Sequence, residues 1–299
     1  MLARIISALL VLLSVMSVRA QSDHPRVRQE MLVSSQWLAD HLRDPDLVIL
    51  CVSPAMEFCS KGHLPGARYL ALSDIAVTRD GVPNELPTVE QLQKIFEAVG
   101  VSNNSRIVLY GSRYGLMAAR AYFTLDYLGV AGRASLLDGG LEKWTAEHRE
   151  LSTETPAVAP GKLHPSPNPA ILVETSAMRE LVANKSSKVA IIDARPADEF
   201  SGAKLSEDVS KAGHIPGAKG MYWVNNLVST ENPVLRPEAE LRRLYESMEP
   251  PASNGVVTYC RTGMQSSFSY FVAKYLGYDA RMYDASFYEW SRQELPVEK

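Results

Sequence analysis

Cys260 is one of three cysteines in the chain, and it stands where a nucleophile is readily activated. The mainly apolar run Val256 to Tyr259 predicts a strand that ends at this cysteine, and the polar loop Arg261 to Gln265 leads into a helical pattern. In open α/β sheets, binding sites form at the carboxyl ends of strands. Loop N–H groups, the helix dipole and the Arg261 guanidinium would all favour the thiolate over the thiol. Cys260 is therefore the candidate nucleophile.

The loop after Cys260 supplies the candidate binding residues. Gly263 suits a position that needs unusual backbone dihedrals or a close backbone approach, and Thr262 and Ser266 offer hydroxyl donors. A buried cysteine that acts as a small apolar residue is the alternative, and the polar, arginine-containing loop argues against it. The predicted loop set is Arg261, Thr262, Gly263, Met264, Gln265 and Ser266.

The elements that position this loop occur twice in the chain. The segment 108–129 repeats as 257–277, with Gly111 at the position of Cys260, and the turn KGHLPGA returns as AGHIPGA. Each half alternates short β runs with helical patterns, which predicts two tandem α/β domains, each a parallel sheet with helices on both faces. The first half lacks the nucleophile and forms a wall of the cleft, into which Arg113 or Tyr114 could reach.

The domain limits follow from the repeat and from proline content. Five prolines between residues 151 and 170 favour extended, semi-rigid chain, so this segment is the predicted linker. The predicted inactive domain is 31–150 and the predicted catalytic domain is 171–299.

The first twenty residues have the pattern of a secretory signal peptide. Arg4 precedes a mostly apolar run, and Val18-Arg19-Ala20 suits cleavage before Gln21. We therefore expect a protein that is exported to the periplasm or secreted, with lipid retention of the N-terminus as the alternative. No later segment is apolar for the ~20 residues that a membrane span needs.

Charge and cysteine count limit the partners. Without residues 1–20, 29 basic and 34 acidic residues remain, a net charge of −5, which argues against nucleic acid as a partner. An odd number of cysteines in an exported chain implies a free thiol or an intermolecular bridge. Cys51 and Cys59 are close enough in sequence to pair, which would leave Cys260 free, but spacing alone does not fix this pairing.

Taken together, the paired GHxPGA turns, YCRTGMQSS, DARPADEF and the terminal tryptophan motifs resemble the rhodanese family of sulfurtransferases over nearly all of residues 31 to 294. The resemblance implies a two-domain protein in which the second half alone is active. It also implies that Cys260 takes sulfane sulfur from thiosulfate or 3-mercaptopyruvate and passes the persulfide sulfur to cyanide or a thiol. No cofactor is implied, and we expect a monomer.

Other residues match the family pattern unevenly. Asp193 and Arg195 match an acidic and a basic residue after the first strand of the catalytic domain, where they would contact substrate or form a salt-bridged strand end. Glu199 stands where some thiosulfate enzymes have an arginine. Arg261 is typical of thiosulfate-using loops (CRKG), whereas Thr262 replaces their lysine; mercaptopyruvate-using loops usually read CG[ST]G. Thiosulfate is thus the expected donor and 3-mercaptopyruvate the alternative.

A cysteine followed by a polar loop also occurs in two other classes of protein. Tyrosine phosphatases need an arginine six positions after the cysteine, where this chain has Ser266, so phosphate would lack its bidentate clamp. A protein that carries a persulfide without efficient turnover is the second alternative, because this loop has one positive charge fewer than a CRKG loop. His63 and His214 occur in both halves although the cysteine does not, so we expect them to be turn or packing residues. We predict no metal site.

Overall fold

The computed structural model describes residues 25–184, 186, 188–248 and 255–299. The predicted signal peptide at 1–20 lies outside the described residues. Within the described part of the chain, none of the helices has the length and apolar character required to cross a membrane.

The first half of the chain builds one parallel sheet and one small hairpin. Its elements are β1 (Leu32–Val33), α1 (Ser35–His41), β2 (Leu47–Ser53), α2 (Met56–Ser60), β3 (Arg68–Ala71), α3 (Leu72–Ile75), β4 (Val77–Arg79), β5 (Val82–Glu85), α4 (Val89–Ala98), β6 (Arg106–Gly111), α5 (Leu116–Tyr127), β7 (Ala134–Leu137) and α6 (Gly140–Ala146). The sheet has the order β1-β7-β6-β2-β3, while β4 and β5 pair with each other in antiparallel fashion. Strands β2 and β6 are buried along most of their length because helices cover both faces.

The second half repeats this plan with a smaller sheet. Its elements are α7 (Thr175–Ala183), β8 (Val189–Asp193), α8 (Ala197–Phe200), β9 (Lys219–Gly220), α9 (Glu238–Glu246), β10 (Gly255–Tyr259), α10 (Met264–Tyr275), β11 (Asp279–Met282) and α11 (Ser286–Arg292). The strands are parallel, in the order β11-β10-β8-β9. The predicted α/β fold class is confirmed.

The edge strand of the second sheet is short. Only Lys219–Gly220 pairs with β8. The residues before this pair are held in a turn, in which the Ala218 N–H donates to the Ile215 carbonyl at 3.0 Å.

Helix α10 is buried on all sides, which a single apolar face would not predict. Its serines are buried together with its aromatic residues, because the helix lies between its own sheet and α5 of the first half. Edge-to-face ring pairs join the two helices, with centroid distances of 4.9 Å for Tyr122 and Phe271 and 5.1 Å for Phe123 and Tyr270. The two halves therefore share an apolar core at the helix that follows the candidate nucleophile.

The structure also shows how the cysteines pair and where the proline-rich segment runs. Cys51 of β2 and Cys59 of α2 form a disulfide with a Cα–Cα distance of 6.2 Å, and Cys260 is free. From residue 151 to the short 3-10 turn at Pro169–Ile171, the chain runs along the first half. For example, the Gly161 N–H donates to the Glu97 carbonyl at 2.7 Å.

Candidate active site

Cys260 lies at the carboxyl end of β10, joined to α10 by the short turn 261–263. It is only 1% exposed, and it lines a cavity of 520 Å³. The same cavity is lined by four of the predicted loop residues, Arg261, Thr262, Met264 and Gln265. Gly263 and Ser266 belong to this loop but are not among the residues that line the cavity. The fold therefore gathers most of the loop set around one thiol.

A serine that sequence reasoning missed holds this loop in place. The Ser286 hydroxyl accepts the N–H of Cys260 at 3.2 Å and that of Gly263 at 3.1 Å, and it donates to the Tyr283 carbonyl at 2.9 Å. The Phe287 N–H donates to the Cys260 carbonyl at 3.0 Å. These two loop N–H groups therefore bind Ser286, whereas the sequence led us to expect loop N–H groups turned toward the sulfur.

Ser286 could have been found by comparing the two halves. The motif DGGLEKW of the first half corresponds to DASFYEW of the second, which aligns Gly140 with Ser286. Both residues have a left-handed backbone, with φ of +55° and +56°. Glycine adopts this conformation readily and serine does not. The three hydrogen bonds of the Ser286 hydroxyl hold the residue in this strained conformation.

Replacement of Ser286 by glycine is expected to lower any turnover that depends on Cys260 about 10- to 100-fold, because the cysteine would lose its fixed position. The free energy of unfolding should fall by no more than about 2 kcal/mol, since relief of the left-handed strain offsets the lost hydrogen bonds. Steady-state assay and urea unfolding measure the two effects. Ser286→Ala keeps the left-handed strain, so both its turnover and its free energy of unfolding should be lower than those of Ser286→Gly. Wild-type turnover in Ser286→Gly would contradict the role assigned to the hydroxyl.

Gly263 has the unusual backbone that the sequence led us to expect. Its φ is +81°, and an added Cβ would lie 2.3 Å from a carboxylate oxygen of Asp284 and 3.2 Å from the Arg120 guanidinium. The loop therefore packs directly against an ion pair between the two halves.

Two polar side chains of the loop, those of Arg261 and Thr262, contact neighbouring residues. The Arg261 Nε lies 3.2 Å from the buried carboxylate of Glu199, and its Nη1 lies 3.9 Å from Asp208. The Asn84 amide donates to the Thr262 hydroxyl at 2.9 Å. The guanidinium of Arg261 therefore faces two carboxylates, of which the buried one of Glu199 is the nearer.

Asp193 and Arg195 bind each other and do not line the cavity. The Arg195 Nε donates to the Asp193 carboxylate at 2.9 Å and its Nη2 donates to the Gly213 carbonyl at 2.8 Å. Its guanidinium carbon lies 4.1 Å from the ring centre of Phe287. Both side chains are buried; burial acts to lower the pKa of Arg195, but the hydrogen bonds and charge of Asp193 help to hold it above its ordinary value. This arrangement is that of a salt-bridged strand end, the alternative to substrate contact.

The two histidines occupy equivalent packed positions. The Nδ1 atom of His63 lies 2.9 Å from the Leu64 carbonyl, and that of His214 lies 2.8 Å from the Phe200 carbonyl. The His214 ring also stacks on Phe200 at 3.8 Å between centroids. Neither histidine lines the cavity of Cys260, which agrees with a packing role.

The first half supplies the opposite wall of the cavity. Its residues in the wall are Asn84, Arg113, Tyr114 and Leu116. Arg113 and Tyr114 come from the loop after β6, which corresponds to the loop after Cys260. The expected contribution of this loop to the cleft is therefore present.

A buried ion pair joins the two halves beneath the loop that follows Cys260. The Arg120 Nη1 donates to one oxygen of Asp284 at 2.5 Å and its Nη2 donates to the other at 3.1 Å. Arg120 also donates to the Asn84 carbonyl, and none of its side chain is exposed. Sequence reasoning missed this pair, because Arg120 stands inside a largely apolar helical pattern and its partner lies 164 residues away.

Glu85, at the end of the β4–β5 hairpin, borders this ion pair. Burial, together with the nearby Asp284 carboxylate, raises its pKa to about 7. The guanidinium groups of Arg79, which lies 3.0 Å away, and of Arg120 act in the opposite direction but do not overcome the burial. Glu85 is thus a carboxyl group that titrates near neutral pH at the junction of the two halves.

This carboxyl group should make stability depend on pH. In the folded state the Glu85 carboxyl keeps its proton up to about pH 7, whereas its ordinary pKa is 4.5. The contribution of Glu85 to the free energy of unfolding is therefore greatest below pH 4.5 and is lost as the pH rises to about 7. We expect a loss of about 2 kcal/mol in the free energy of unfolding, reduced from the full shift by partial exposure. Glu85→Gln should remove this slope in urea unfolding, whereas Glu57→Gln, at an exposed site, should keep it. An unchanged slope in Glu85→Gln would contradict the assignment.

The fold and the cysteine loop can be compared with those of known protein families. A family model described as Rhodanese-like domain matches residues 34–147 and again residues 177–293. The chain therefore belongs to the rhodanese family of sulfurtransferases, and its two matches correspond to the two sheets described above.

Individual relatives cover most of the chain. The sulfur carrier protein TtuD of Thermus thermophilus is 34% identical over 87% of this chain and 93% of its own length. Thiosulfate sulfurtransferase of Pseudomonas aeruginosa is 31% identical over 90% of this chain and 97% of its own length. A probable 3-mercaptopyruvate sulfurtransferase of the same organism is also 31% identical, over 87% of this chain and 94% of its own.

A solved structure shows the same fold at lower identity. The anaerobic ergothioneine biosynthesis enzyme from Chlorobium limicola superposes with a TM-score of 0.79, over 92% of this chain and 71% of its own. At 22% identity, this likeness concerns the fold alone.

Proposed function

We propose that the protein is a thiosulfate sulfurtransferase that carries sulfur as a persulfide on Cys260. The observation that carries the proposal is a free cysteine at the carboxyl end of a parallel strand, lining a cavity between the two halves. The first half has Gly111 in the corresponding place, and a Cβ there would lie 2.2 Å from the Val52 carbonyl oxygen. Chemistry is thus confined to the second half.

The proposed reaction has two steps. The Cys260 thiolate attacks the outer sulfur of thiosulfate, the sulfur–sulfur bond breaks, and sulfite leaves with the electron pair. Cyanide or a thiolate then attacks the terminal persulfide sulfur, which releases thiocyanate or a new persulfide and regenerates the Cys260 thiolate. Neither step needs an added oxidant or reductant, and the protein acts as the covalent carrier.

The loop sequence supports thiosulfate as the donor over 3-mercaptopyruvate. Arg261 is typical of thiosulfate-using loops. Mercaptopyruvate stays the alternative donor. The second candidate function is that of a persulfide carrier, which is favoured by the compensation of Arg261 by Glu199 and by the relative named as a sulfur carrier.

Steady-state thiocyanate production by the purified chain with cyanide tests these alternatives. We expect a higher kcat/KM with thiosulfate than with 3-mercaptopyruvate. The opposite preference would identify the sister activity. Turnover with neither donor, while a persulfide still forms on Cys260, would favour the carrier.

We further propose export to the periplasm or beyond, with the protein acting as a monomer. The signal-peptide pattern in residues 1–20 supports export. The Cys51–Cys59 disulfide agrees with an oxidising compartment, since such bonds are rare in the cytosol. Cell fractionation with detection of the processed N-terminus tests export, and light scattering of the purified protein tests the monomer.

A further inference from the structure

We propose that Arg113, from the non-catalytic half, binds the anionic group of the sulfur donor while Cys260 attacks its outer sulfur. The inference rests on the proposed sulfur transfer and names the residue that holds the donor. The shared chemistry is a sulfonate or carboxylate group at one end of a small sulfur compound, and thiosulfate is the donor for which the effect should be largest.

The position of Arg113 is the first argument. It lines the same cavity as Cys260 but comes from the facing wall, and its side chain is exposed. The loop that carries it is the counterpart of the catalytic loop. A donor in the cavity would thus lie between a thiol of one half and a guanidinium of the other.

The backbone of this loop is the second argument. Arg113 and Tyr114 both have left-handed conformations, with φ of +55° and +58°, which non-glycine residues rarely adopt. The loop is held there by the Ser112 N–H, which donates to the Val52 carbonyl at 3.1 Å, and by the Leu116 N–H, which donates to the Arg113 carbonyl at 3.1 Å. Two strained residues in succession at a cavity wall are typical of a functional position.

The charge of the cavity is the third argument. Its charged lining residues are Arg113, Asp208 and Arg261. Arg261 is compensated by Glu199 and by Asp208. Arg113 forms no ion pair with any residue in the described part of the chain, so its guanidinium is the cation left to meet an anionic donor.

These three observations give Arg113 a role in both binding and chemistry. A guanidinium presents paired N–H donors that match two oxygens of a sulfonate. The same contact would stabilise sulfite as it leaves. Arg113 of the first half thereby supplies the positive charge that a lysine would supply in a CRKG loop, where this chain has Thr262.

The test compares Arg113→Gln and Arg113→Lys with the wild type. For Arg113→Gln we expect kcat/KM for thiosulfate to fall about 10- to 100-fold, while kcat/KM for cyanide stays unchanged, because cyanide meets the persulfide after sulfite has left. The loss should be smaller with 3-mercaptopyruvate, which has a single negative charge on its carboxylate. Arg113→Lys should recover part of the loss, since it restores the charge but not the paired donors. Arg133→Gln, at an arginine away from the cavity, is the matched control.

A binding measurement separates this inference from the proposed function. Cys260→Ser removes the nucleophile, and Trp223 lines the cavity, so thiosulfate binding can be followed by its fluorescence without turnover. Weaker thiosulfate binding by the Cys260→Ser, Arg113→Gln double variant supports the inference even if the wild type transfers no sulfur to cyanide. Equal binding by the single and double variants would overturn it, whatever the turnover of the wild type.

Discussion

Cys260→Ser is expected to abolish persulfide formation and to lower thiocyanate production by at least about 10⁴-fold, because a hydroxyl is a far poorer nucleophile toward sulfur than a thiolate. The thiol is buried and free, and the loop around it is fixed through backbone contacts to Ser286. The fold should therefore survive the change of one atom. The measurement is steady-state turnover with thiosulfate and cyanide, together with urea unfolding of both proteins.

The matched control for this substitution is the removal of the other cysteines. Cys51→Ala with Cys59→Ala eliminates the disulfide of the first half and leaves Cys260 in place. This variant should lose about 2–4 kcal/mol of stability but retain sulfur transfer. Activity in Cys260→Ser comparable to that of the wild type would rule out the proposed mechanism.

Asp284→Ala is expected to have the largest effect on stability, a loss of about 3–5 kcal/mol in the free energy of unfolding. The reason is that Arg120, of which nothing is exposed, would stay buried without its carboxylate. Sulfur transfer should also fall, since Asp284 packs against Gly263 in the catalytic loop. Urea unfolding and steady-state assay measure the two losses.

The internal repeat offers the control for this prediction. Asp138 is the counterpart of Asp284 in the first half, and its carboxylate accepts one hydrogen bond, from the Leu235 N–H at 2.9 Å. Asp138→Ala should therefore cost only about 1–3 kcal/mol. Replacing Arg120 by Met and Asp284 by Leu together should restore part of the stability, because no charge is left buried alone. A loss in Asp284→Ala no greater than in Asp138→Ala would show that the pair contributes little.

The sequence predicted the parts of the site that depend on local pattern. The apolar run before Cys260, the helix after it and the unusual backbone of Gly263 are consequences of neighbouring residues, so they could be read from one segment. The two sheets were predictable for the same reason, since alternating strands and helices determine a parallel arrangement.

The parts that sequence reasoning missed depend on distant residues. The Arg120–Asp284 pair and the Asn84–Thr262 hydrogen bond connect the two halves, and nothing near these residues indicates their partners. Glu199 was noted as a departure from the family pattern, but its contact with Arg261 depends on how α8 packs against the loop. Such contacts are set by the docking of the halves, which no local pattern encodes.

The most direct test of the central claim is mass spectrometry of the chain after incubation with thiosulfate in the absence of an acceptor. We expect the peptide containing Cys260 to gain the mass of one sulfur atom, sulfite to be released in equal amount, and cyanide to remove the added sulfur as thiocyanate. An unmodified Cys260 in a protein that nevertheless produces thiocyanate would contradict the account.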